Sequence, residues 1–73
     1  MSHQNRIAAM TPARIEQIRK SRRMTQAGFA EAVGWSPRTQ FTLEDGGRPV
    51  TLPECVFLEQ VEAGLELEPA PAA

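Results

Sequence analysis

Few side chains in this chain are equipped for chemistry. It holds one cysteine, Cys55, and one histidine, His3, among 73 residues. A thiol–imidazole nucleophile pair is formally possible, yet nothing in the spacing brings the two together. A buried thiol and a solvated imidazole is the simpler reading. One cysteine and one histidine also fall short of any zinc-ligand set. No acid/base pair stands out, and Gly46-Gly47 is a turn, too little for a phosphate-cradling loop. Neither an enzyme, a metal site nor a cofactor is therefore expected. What remains is the ionic chemistry of eight Arg/Lys and nine Asp/Glu side chains.

Those charges are unevenly spread. Net charge is −1, which argues against a uniformly basic nucleic-acid binder. Residues 1–24 nevertheless hold six cations (Arg6, Arg14, Arg19, Lys20, Arg22, Arg23) against Glu16, or +5. Residues 25–48 set Arg38 and Arg48 against Glu31, Glu44 and Asp45, and residues 49–73 hold five glutamates and no cation, or −5. Such polarity suits a domain with one face toward phosphates and the other toward solvent or a partner. Alternatively, it only orients surface ion pairs. The length suits one small domain with a thin core, for which a partner subunit would be a natural support. A single cysteine forbids an internal disulfide, no apolar run approaches a membrane span, and no secretory signal is recognisable. The expectation is a cytoplasmic, nucleoid-associated protein with no small-molecule ligand.

The elements that must position these charges centre on Thr25 to Gly46. Phe29, Ala30 and Val33 share one helical face, with Thr25 as the cap and Gly34 as the stop. Gly28 is unexpected inside such a helix, where glycine costs roughly 0.5–1 kcal/mol relative to alanine. Either close packing or close approach of an external group would explain it. One residue beyond Gly34, Ser36-Pro37 starts a second helix over 36–45. Two helices joined by so short a turn must cross steeply, as in a helix-turn-helix.

Gln26-x-x-Phe29-Ala30-x-x-Val33-Gly34-Trp35-Ser36-x-x-Thr39-x-x-x-Leu43-Glu44-x-Gly46 resembles the lambda-repressor/Cro-type (XRE) helix-turn-helix family, closely over the middle third of the chain and loosely over 11–65. The resemblance implies an all-α bundle of four or five helices that lays the 36–45 helix in the DNA major groove. Its base-reading positions fall on Pro37, Arg38, Phe41 and Thr42. The planar fork of Arg38 matches guanine O6 and N7, and Thr42 can pair with a base or a phosphate. Phe41 either presses on a thymine methyl or packs inside the protein. Backbone contacts are expected from Thr25, Gln26, Ser36 and Thr39, with Arg22, Arg23 and Arg48 as a basic rim.

Two residues depart from the family pattern. Gln40 occupies a usually apolar core position, so either the helix is rotated and draws Phe41 inward, or Gln40 is a partly exposed edge residue that finds hydrogen-bond partners. Asp45 stands where an amide or a cation commonly meets phosphate, and that contact is expected to be missing.

Outside this centre, residues 1–10 show no clear period. They read as a flexible arm, with Arg6 either reaching a minor groove or belonging to a frayed terminus. Thr11-Pro12 starts a helix over about 12–20 that points Ile15 and Ile18 inward, with Met10 stapled to Ile15. Thr51-Leu-Pro-Glu54 is a capping box opening a helix from about Leu52 to Ala63, with Gly64 as its stop. Its apolar residues spread over more than one face. Phe57, Val61 and Leu65 are the surplus, read as a homodimer contact, against a monomer with a wide core face. Residues 66–73 read as a disordered acidic and proline-rich tail. The chain thus reads as a sequence-specific transcriptional regulator, a dimeric autoregulating repressor like those of phages and mobile elements, on a palindromic operator. The competing reading is an antitoxin- or adaptor-like interaction module of the same fold that binds a partner through the last helix.

Overall fold

Helix starts in this chain are written in hydroxyls, and a computed structural model describing residues 3–67 shows each of them in use. Thr11, Thr25, Ser36 and Thr51 sit in extended conformation and accept from the backbone N–H of Arg14, Gly28, Thr39 and Glu54. Each thereby satisfies a donor that the first helical turn leaves without a partner. The helices are α1 (His3–Ala9), α2 (Pro12–Ser21), α3 (Gln26–Val33), α4 (Pro37–Asp45) and α5 (Leu52–Glu62). No strand occurs among the described residues, so the domain is all-α. None of its helices is long and apolar enough to cross a membrane.

The stops follow the same local logic. Gly34 at φ 94° and Gly46 at φ 81° close α3 and α4 in the left-handed region, where a side chain would be strained. At the end of α2 that conformation falls instead to Arg23, at φ 57°. A non-glycine residue there costs roughly 1–2 kcal/mol. At Gly28 a Cβ would stand 3.2 Å from the Thr25 hydroxyl oxygen, a tight contact, yet Arg14, Thr39 and Glu54 fill the same position behind the other three caps.

Met10, Ile15, Ile18, Phe29, Ala30, Leu43, Val50, Cys55, Leu58 and Val61 form the buried core. Helices α3 and α4 pack on one another and α4 on α2, while α5 closes the other end against α1 and α2.

At the chain's periphery the structure departs from expectation at α1, at Leu67 and at Val61. Residues 3–9 form α1 and are no loose arm: Ile7 packs on the core, and Arg6 pairs with Glu59 on α5. Arg6 is therefore held against α5 and does not extend as a groove-reaching arm. The 66–73 tail is described only through Leu67, which packs on the core cluster, and residues 68–73 lie outside the described residues. The surplus apolar face of α5 is largely spent within the monomer. Val61 is 1% exposed and the half-buried Phe57 meets Trp35 edge-on at 6.3 Å, which leaves Leu65 as the exposed member. That helix is gripped from two sides by α1 and α2, so its several apolar faces need no second copy to cover them.

Arginines bind α5 in place. Arg14 pairs with Glu62, Arg6 with Glu59, and Arg48, ahead of the helix, with Glu54 in its first turn. The Arg22 guanidinium donates to the carbonyls of Leu65 (2.7 Å) and Val61 (2.6 Å), the latter also accepting from the Gly64 N–H, and so sets a cation at the negative end of α5. Arg22→Ala is expected to cost roughly 1–2 kcal/mol, as loss of charged hydrogen bonds at a helix end does. A urea midpoint indistinguishable from wild type would refute the cap.

Candidate nucleic-acid interface

The presentation of α4 is fixed by one carboxylate. Glu44 accepts at both oxygens from Arg19 (2.7 and 2.9 Å), at Oε2 from the Gln40 amide (2.6 Å) and at Oε1 from the Gln26 amide (3.2 Å). Gln40 in turn accepts from the Trp35 indole N–H at 2.8 Å, and Arg19 also donates to the Met24 carbonyl at 2.9 Å. Helices α2, α3 and α4 and the turn between the last two are thus tied at one point. Burial pushes the Glu44 carboxyl up. Hydrogen bonds from Arg19, Gln40 and Gln26, with the Arg19 charge, outweigh it and hold the group below the ordinary carboxylate range.

This network excludes both the rotation and the partial exposure read for Gln40, while giving it the hydrogen-bond partners expected of the second reading. The residue is wholly buried, neither an exposed edge nor a sign of rotation, because its amide has partners on both sides. Phe41 accordingly points outward and is 56% exposed, so the inward alternative is excluded. Arg38, Pro37, Phe41 and the half-exposed Thr42 face the same way, and with Gln26 and Ala27 they line a shallow groove between the start of α3 and α4. The Thr42 hydroxyl donates to the Arg38 carbonyl at 2.8 Å. All four expected base-reading residues therefore share one surface.

The expected backbone contacts fare unevenly. Thr25, Ser36 and Thr39 stand at the N-terminal ends of α3 and α4, with the Ser36 and Thr39 hydroxyls 2.9 Å apart. These ends carry the positive poles of the helix dipoles. Gln26 is partly committed to Glu44 through its amide. Arg22 must be struck from the rim, since its guanidinium caps α5. Arg48 is likewise engaged: both terminal nitrogens reach Glu54, at 3.0 and 2.9 Å, and one also donates to the Pro49 carbonyl. Hydrogen bonds from Arg48, working against burial, keep the Glu54 carboxyl ionised below its ordinary range.

Of the eight cations, Arg6, Arg14, Arg19, Lys20 and Arg48 are paired with carboxylates. Most of the charge polarity is therefore consumed in intramolecular pairs, the second of the two readings above. Arg23 and Arg38, both exposed, are the cations without a partner among the described residues.

Cys55 is buried, and burial pushes its thiol up, away from the reactive thiolate. The His3 side chain lies outside what the structure describes. No group of three metal-ligating side chains occurs among the described residues.

No family model matches the chain, and no curated protein or solved structure matches it either.

Proposed function

We propose that the chain is a sequence-specific DNA-binding regulator, a repressor that inserts α4 into the major groove. The observation that carries this reading is the state of Arg38. It is exposed and unpaired on the outward face of α4, in a molecule whose other cations, Arg23 apart, are occupied. A guanidinium left free there is pre-positioned for the paired acceptors of a guanine edge. The dipole-positive starts of α3 and α4 supply phosphate contacts beside it. Two copies on a palindrome would set their α4 helices about 34 Å apart. Leu65 and the open edge of Phe57 are the apolar groups left for such pairing.

The test is binding of the free chain to random-sequence duplexes across a salt series. With Arg23 and Arg38 as the available cations, log affinity should fall with log salt at a slope of about −1 to −2. Selection from the same pool should then enrich a guanine-containing site. No binding at low salt would overturn the reading. A stable complex with another protein in its place, made through α5, would favour the interaction-module alternative.

A further inference from the structure

Proceeding from α4 as the DNA-reading helix, we infer that Phe41 senses the C5-methyl group of pyrimidines, so that thymine and 5-methylcytosine are accepted where uracil and cytosine are not. The outward face of α4 is poor in hydrogen-bonding capacity. Pro37 and Phe41 have no polar side-chain atom, and the Thr42 hydroxyl proton is taken by the Arg38 carbonyl. That leaves Arg38 as the donor of the four. Gln26 also lines the groove but gives an amide N–H to Glu44, and the rest of the surface is apolar: Phe41, 56% exposed, with Ala27 and Pro37.

An apolar surface laid against base edges has one apolar mark to find in the major groove, the methyl on C5 of thymine. The ring neither donates to nor accepts from O4 or N4 in the ordinary way, so the oxygen–amine difference between thymine and cytosine is not what it reads. 5-Methylcytosine carries the same methyl at the same ring position and should satisfy it. Phe41 follows Arg38 by three residues, a rise of about 4.5 Å along the helix, against about 3.4 Å per base step. The methyl and the guanine should therefore lie on neighbouring pairs or one pair apart. This makes the chain a reader of pyrimidine methylation at one step of its site.

The experiment starts from duplexes selected by the full chain out of a random pool, resynthesised with uracil for thymine at one position at a time. Loss of the methyl should weaken binding about fourfold at one position per half-site, the worth of one buried methyl. Cytosine there should bind poorly, and its 5-methyl form should recover the loss. Phe41→Ala should abolish this sensitivity, leave the guanine preference in place, and melt like wild type because the ring is exposed. If no DNA is enriched, DNA binding through α4 is itself wrong. If a site is enriched but uracil is tolerated at every thymine, DNA binding stands and the methyl inference falls. Methyl sensitivity that survives Phe41→Ala would likewise overturn the assignment to Phe41.

Discussion

Glu44→Ala should lower the unfolding free energy by roughly 3–5 kcal/mol, the cost of removing one partner from a buried ion pair. In a domain of this size that is most of the stability available. The magnitude follows from what the carboxylate serves. Its side chain is 5% exposed and that of Arg19 is 13% exposed. Without Glu44 a guanidinium and two amides lose their shared acceptor together, and the Gln40 amide, wholly buried, has nowhere to turn. Glu44→Gln, which keeps the shape but not the charge, should fall between alanine and wild type. Equilibrium urea unfolding followed at Trp35 gives the numbers. A loss below about 1 kcal/mol for the alanine variant would show that the network is not structural.

The same carboxylate sets the acid limit. Glu44, Glu54, Glu59 and Glu62 all titrate below the ordinary carboxylate range in the folded chain. A depressed folded value means that the unfolded chain takes up the proton first. The stability these groups contribute is thus present above the unfolded value of about 4.3 and is lost as pH falls through the folded values. Melting temperature should be level between pH 6 and 8 and fall below about pH 4.5. A profile that kept rising below pH 4 would contradict it.

Arg38→Ala carries the second large effect, and it is an effect on recognition alone. The side chain has no partner among the described residues, so the variant should unfold within about 0.5 kcal/mol of wild type. On the selected site, however, affinity should drop roughly tenfold to a hundredfold, with preference relaxed at one base pair. Arg23→Ala is the contrast: an exposed cation in the α2–α3 connector should weaken all duplexes alike and flatten the salt slope by about one. Equal losses for Arg38→Ala on selected and random DNA would remove Arg38 from base reading.

The helices from α2 onward were legible because their ends are encoded locally. Thr11-Pro12, Thr25, Ser36-Pro37 and Thr51 mark starts, and Gly34 and Gly46 mark stops, each within a few residues of the bond it makes. The residues ahead of α1 lie outside the described residues, and a segment of seven residues is too short to stand by propensity. Its support is the Arg6–Glu59 pair across 53 residues, which no local pattern announces. The full burial of Gln40 was hidden for a related reason. A polar residue at a core position makes sense only once Trp35 and Glu44 are known to face it. The four residues that the resemblance marks on α4 do share one exposed face, whereas Arg22 and Arg48 of the expected basic rim are engaged within the molecule. Composition gives the charges, but not that Arg22 caps α5 or that Glu54 occupies Arg48.

The contact between α1 and α5 also bears on how the chain finds its shape. Loop closure grows costlier with the length enclosed, and a link spanning 53 residues encloses most of this domain. The α3–α4 corner, by contrast, joins near neighbours in sequence and gains its contacts at small entropic cost. Assembly should accordingly nucleate at that corner, with the two outer helices zipping together late, and the first segments to open under native conditions should be those same two.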